Sequence, residues 1–172
     1  MRTMLLSLVL VVGLVGGAWS QCSDRLEIEC LQVADYPGNV CVTLRVTTCD
    51  APFNAFGVDV SFPSDYMMFS GIETAGLLTA DWDEIDAAIV DGFPSVLRIG
   101  GYDQDGFGLE TRAALVQICF ELTDELPSGN EMTIDESSMV DDLEGYLTFD
   151  CRMPSIVPVE TSTWGMIKAL FE

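Results

Sequence analysis

The sequence predicts an all-β protein built as a two-sheet antiparallel β-sandwich. Three observations predict it. Apolar and polar residues alternate through much of residues 25–150, the period of strands with one buried and one wet face. Turn-forming clusters interrupt these runs at short intervals: "DYPGN", "CDAPFN", "FPSD", "DGFPS", "GGYDQDGFG", "LPSGN" and "DDLEG". Beyond the N-terminal stretch, no ten-residue segment carries a helical stripe, and "LLTADWDEID" has room for a single turn.

Taken in order, these signals give nine strands, near 25–34, 40–48, 55–62, 67–74, 85–91, 95–101, 113–122, 131–136 and 145–150. The first contains "LEIEC". The second, "CVTLRVTT", sets Val42, Leu44 and Val46 against Thr43, Arg45 and Thr47. The third, "FGVDVSF", sets Phe56, Val58, Val60 and Phe62 against Gly57, Asp59 and Ser61. The seventh, "LVQICFEL", turns Val116, Ile118, Phe120 and Leu122 inward and Gln117, Cys119 and Glu121 outward. The ninth contains "GYLTF". Many short strands in one domain of this size make a sandwich rather than a single open sheet.

Residues 1–20 read as an export signal. Arg2 supplies the positive charge, "MLLSLVLVVGLVGG" the apolar stretch, and Ala18 and Ser20 the small residues before a cleavage point. The run is too short for a membrane span, and no stop-transfer charges follow it. Lipid attachment at Cys22 is disfavoured, because the bulky Gln21 precedes it. Residues 21–152 form the expected domain, and 153–172 a proline-containing linker and tail. Without Arg2, six basic residues face 28 acidic ones, a net charge of −22. Such a chain repels nucleic acid and anionic membranes. Cations, neutral sugars and protein surfaces remain as partners. The acids are interleaved with apolar residues, unlike those of a disordered acidic tail. The expected location is outside the cell or on its surface.

Six cysteines, an even count in an exported chain, read as three disulfides. Spacing alone leaves fifteen pairings open. A zinc site would need ligands that are missing: there is no histidine and no C-x-x-C. The missing histidine also removes Ser-His-Asp and Cys-His catalysis, and the only lysine is Lys168. Among 28 acids some pair will fall at a glycosidase spacing by chance, so no catalytic residue is assigned. The acidic cluster "DWDEID" reads as a solvated loop.

The segment "IGGYDQDGFGLET" invites a calcium loop. With Gly106 at the sixth position of an EF-hand, Asp105 and Asp103 fall at the fifth and third. Gly101 then stands first and Arg112 last, where oxygen ligands belong. The expectation is therefore a glycine turn between strands and no cofactor. An irregular Ca2+ site through Asp103, Asp105 and Glu110 is the alternative. For sugar binding, Trp82, Tyr66 and Tyr102 are candidates, but they do not alternate along one strand.

Three stretches resemble cohesin domains: "NAFGVDVSFPSDYMMFSGIETAGLLT", "GYDQDGFGLETRAALVQICFEL" and "SGNEMTIDESSMVDDLEGYLTF". The resemblance covers about residues 25–150 and lies in the succession of strands and turns. It implies a nine-stranded sandwich of jelly-roll topology. It also implies a non-catalytic role: cohesins bind dockerin modules and so assemble polysaccharide-degrading complexes. The same fold serves a group of carbohydrate-binding modules, so a glycan is the alternative partner. From the family's strand neighbours the resemblance implies disulfides Cys22–Cys49, Cys30–Cys151 and Cys41–Cys119. It places the partner on strands three, five, six and eight. The outward positions there are Gly57, Asp59, Ser61, Asp86, Ala88, Val90, Val96, Arg98, Thr133 and Asp135. Asp59 matches the acid of the family's Asn-x-Asp pair, and Gly57 stands where the asparagine would be. The tail "TSTWGMIKALFE" resembles short C-terminal segments that end many exported proteins. That likeness implies a sorting or attachment step, and with it a third role as a structural surface subunit.

Overall fold

The computed structural model describes residues 22–30, 38–49, 52–107, 111–127 and 129–153. The expected signal segment, the C-terminal tail and Glu110 lie outside them. Ten strands form: β1 (Arg25–Cys30), β2 (Asn39–Thr48), β3 (Phe53–Ser61), β4 (Met67–Glu73), β5 (Glu84–Val90), β6 (Phe93–Phe107), β7 (Thr111–Leu122), β8 (Glu131–Asp141), β9 (Leu147–Phe149) and β10 (Cys151–Arg152). The first sheet has the order β4-β7-β2-β1-β9 and the second β10-β8-β3-β6-β5. All neighbours are antiparallel except β1 and β9, which run parallel. No helix among the described residues is long and apolar enough to cross a membrane.

Alternation explains the layers. Leu26 and Ile28 of β1, Val42, Leu44 and Val46 of β2, and Ile118 and Phe120 of β7 turn to the core from one side. Phe56, Val58 and Val60 of β3, with Leu97 and Ile99 of β6, meet them from the other. Each such side chain contributes roughly 1.5–3 kcal/mol by leaving water. Phe120 packs on Phe62 at 4.9 Å and on Phe69 at 6.1 Å between ring centres. Trp82 lies 6.0 Å from Phe53 and 5.8 Å from Phe56. Trp82 is therefore a wall of the core, not an exposed sugar platform.

The disulfides join Cys22 to Cys49, Cys30 to Cys151 and Cys41 to Cys119, and no cysteine is free. Cys41 and Cys119 are directly opposed on β2 and β7. Cys30 on β1 and Cys151 on β10 tie the two sheets together.

The structure departs from the sequence expectation in two long strands. The glycine segment after Ile99 is not a connection between strands: β6 continues through it to Phe107. Between the pairs Ala55–Tyr102 and Phe53–Phe107, two residue steps on β3 face five on β6. The surplus bulges out, and Asp103 closes it by accepting the N–H groups of Asp105 (2.8 Å) and Gly106 (2.7 Å) on one carboxylate oxygen. Gly106 sits at φ 58°, and a Cβ there would lie 2.6 Å from the carbonyl oxygen of Phe53. Only glycine fits both demands. Likewise β8 does not stop near residue 136 but reaches Asp141 through a second bulge.

Candidate docking face

The outer face of the second sheet gathers nine of the ten positions that the resemblance points to, and Val90 follows past a register shift at the end of β5. Register fixes the rows. Ala88, Arg98, Asp59 and Asp135 lie side by side across β5, β6, β3 and β8. Asp86, Gly100, Gly57 and Val140 form the next row. Ser61 pairs with Val96 on one side and Thr133 on the other.

At the centre, Arg98 grips Asp59 with two parallel bonds. Nε donates to Oδ1 and Nη2 to Oδ2, both at 2.7 Å. This planar fork is the strongest geometry available to such a pair. The bonds and the charge of Asp59 hold the Arg98 guanidinium above its ordinary pKa. Asp59 is only 8% exposed, although alternation turns it outward. Its own N–H donates to Ser138 Oγ (2.7 Å), and that hydroxyl donates to the Asp135 carbonyl oxygen (2.7 Å). The β8 bulge supplies Ser138, because Gly57 faces Val140 while Asp59 faces Asp135. Val140 also leans over Gly57, where a Cβ would meet its Cγ2 at 2.7 Å. Alternation could not reveal Ser138 or Val140, because a bulge resets the phase of every residue after it.

Toward the β5 edge the face opens. A groove of about 730 Å³ runs along β5 and β6, lined by Glu84, Asp86, Ala88, Ile89, Val90, Asp91, Arg98, Gly100 and Tyr102, among others. Tyr102 is 49% exposed, and Phe93, the first residue of β6, 61% exposed. Gly100 lines the groove without a side chain, so the surface beside Arg98 is floored there by backbone. Asp86 accepts the N–H of Ala87 at 2.8 Å.

The other proposed sites fare differently. Asp103 and Asp105 belong to the β6 bulge, and the N–H of Gln104 there donates to Asp83 at 3.1 Å. Among the described residues no three His, Cys, Asp or Glu side chains come together to hold a metal ion. Tyr66 packs against the core, leaving Tyr102 as the exposed ring of the three aromatic candidates.

No protein-family model matches the sequence, and no curated protein matches it. The fold has clear counterparts among solved structures. The solution structure of CaCohA2 from Clostridium acetobutylicum superposes with a TM-score of 0.59 at 13% identity, over 81% of this chain and 95% of that one. The seventh ScaB type I cohesin of Pseudobacteroides cellulosolvens gives 0.58 at 12%, over 80% and 96%. The third cohesin ScaC of Acetivibrio cellulolyticus, solved in complex with the ScaB dockerin, gives 0.60 at 10%, over 77% and 100%. The described domain is thus a jelly-roll sandwich with the fold of cohesin modules.

Proposed function

We propose that this chain is an exported, non-catalytic docking module that receives a dockerin-type protein on the outer face of β8, β3, β6 and β5. The observation that carries the reading is the contrast in that face: a backbone-floored, partly apolar groove, open to solvent, on a sheet whose other side is the core. Structures of the same fold have been solved with dockerins bound, the cohesin ScaC with the ScaB dockerin among them. Three paired disulfides suit an extracellular setting, and an assembly that acts on polysaccharide or at the cell surface is the setting we favour.

The test uses the mature chain immobilised against a panel of recombinant dockerin modules, the Acetivibrio ScaB dockerin included, in calcium. At least one should bind with micromolar or tighter affinity, on the order of 8 kcal/mol of binding free energy. EDTA should release it without altering the circular dichroism of this chain. Binding to a glycan array by the isolated protein, with every dockerin silent, would overturn the reading in favour of carbohydrate recognition through Tyr102. A role for the tail in attachment is a separate proposal, tested by surface retention after deletion of residues 161–172.

A further inference from the structure

The centre of the face has spent its polar groups internally. Both carboxylate oxygens of Asp59 are held by Arg98, and the Asp59 N–H is held by Ser138. Gly57, next to it along β3, lies under Val140. A partner arriving over β3 finds Asp59 buried, with both oxygens already engaged by Arg98, and Val140 over Gly57. The groove along β5 and β6 is the opposite case. Ala88, Val90 and Tyr102 give it apolar area, and Glu84, Asp86 and Asp91 line it with charge. Arg98 is the single basic residue in that lining, and Asp59 already offsets it. The groove is therefore a strip of apolar surface with an uncompensated acidic rim.

We infer that recognition is displaced from β3 to the β5–β6 groove, and that the occupant is a cationic amphipathic segment of a partner protein. Its apolar side chains cover Ala88, Val90 and Tyr102, and its Lys or Arg side chains meet Glu84 and Asp86. Complementary charge around an apolar centre raises the association rate and rejects acidic competitors. Asp59 then acts as a positioning residue that holds Arg98, not as a contact. This rests on the docking reading above and sharpens it.

The probe is a pair of synthetic helical peptides with the same leucine stripe, one flanked by lysines and the other by glutamates. Each is titrated into the full mature chain, labelled for amide NMR, at low and at high salt. The lysine peptide should shift the amides of residues 84–102 most, and its affinity should fall at least tenfold at high salt. The glutamate peptide should not bind. Because the whole protein is acidic, position must be separated from net charge. Glu84→Lys/Asp86→Lys should weaken the lysine peptide at least tenfold, while Glu73→Lys/Glu121→Lys on the other sheet changes it less than twofold. Equal losses from both double variants, or the largest shifts on the first sheet, would overturn the inference. So would a dockerin that binds wild type and Glu84→Lys/Asp86→Lys alike, though that result would leave the docking function standing.

Discussion

The two outer faces of this sandwich solve the same problem in different ways. On the first sheet, charge is cancelled across strands: Arg45 bonds Glu29 at 2.5 Å and Arg112 bonds Glu27 at 2.7 Å. The Cys41–Cys119 bridge crosses the same sheet between directly opposed residues. The second sheet also has two ion pairs, Arg98 with Asp59 at its centre and Arg152 with Glu131 across β10 and β8, and toward β5 it adds an acidic rim and exposed Tyr102 and Phe93. Exposed ion pairs add little stability, with a median of about 0–1 kcal/mol, so the contrast is not one of strength. What it teaches is that apolar exposure alone does not mark a site: Met68 on β4 and Leu147 and Phe149 on β9 are 56%, 55% and 47% exposed along the two edges of the first sheet, whereas on the second sheet Tyr102 lines a groove together with acids. A binding surface is recognised here by what its own neighbours have not used.

The largest effect should come from breaking the link between the faces. Cys30–Cys151 joins β1 to β10 across 121 residues of sequence, whereas Cys41–Cys119 spans 78 within one sheet. In the chain-entropy account each long loop is worth about 4–5 kcal/mol. Cys30→Ala/Cys151→Ala should lower unfolding free energy by about that much in urea titration. Cys41→Ala/Cys119→Ala should cost slightly less. If the second pair proves much the costlier, loop length does not decide the loss and the first sheet depends on its bridge more than on its strand pairing.

A smaller break tests the bulge that carries β6 past the groove. Gly106→Ala combines a left-handed backbone with a Cβ placed 2.6 Å from the Phe53 carbonyl oxygen and 2.5 Å from Asn54 Cγ. Backbone cannot swing aside as a side chain can, so a loss of about 2–3 kcal/mol is expected. Thermal unfolding measures it. A loss under about 0.5 kcal/mol, the range of an ordinary surface substitution, would mean that the bulge opens freely and that Asp103 does not hold it shut.

That bulge also marks how far the sequence could be read. Strict alternation located the core faces of β2, β3 and β7 because period two survives along a run that holds no extra residue, as in Val42, Leu44 and Val46 of β2, opposite which β7 carries the extra residue Leu115. The resemblance supplied the order of elements, and with it the cysteine partners that spacing left open. The glycines of residues 99–106 looked like punctuation because a turn and a bulge need the same residue. Two-residue β10 carries too short a pattern to register at all. The pairing of Arg98 with Asp59 was out of reach for a different reason. Both residues lie on the predicted face, but alternation gives orientation and not register, and only register sets residue 98 opposite residue 59.

The smallest effect sharpens the comparison most, because it separates packing from recognition. Gly57 lies beneath Val140, and an added Cβ would come within 2.7 Å of its Cγ2. Alanine in a strand interior gains roughly 0.5–1 kcal/mol over glycine through reduced chain entropy. The collision opposes that gain, but Val140 is 46% exposed and has solvent to move into. Gly57→Ala should therefore lie within about 0.5 kcal/mol of wild type, against a surface-substitution norm of the same size. Adding Val140→Ala removes the collision, so the double variant should exceed the Val140→Ala single variant by about 0.5–1 kcal/mol, a coupling that chemical denaturation resolves. Neither change touches the groove along β5 and β6. The lysine peptide should bind Gly57→Ala with unchanged affinity, because the β3 centre is closed by its own neighbours before any partner arrives. A tenfold loss at Gly57→Ala with stability intact would move the point of contact back to β3 and make the Val140 cover a lid that the partner displaces.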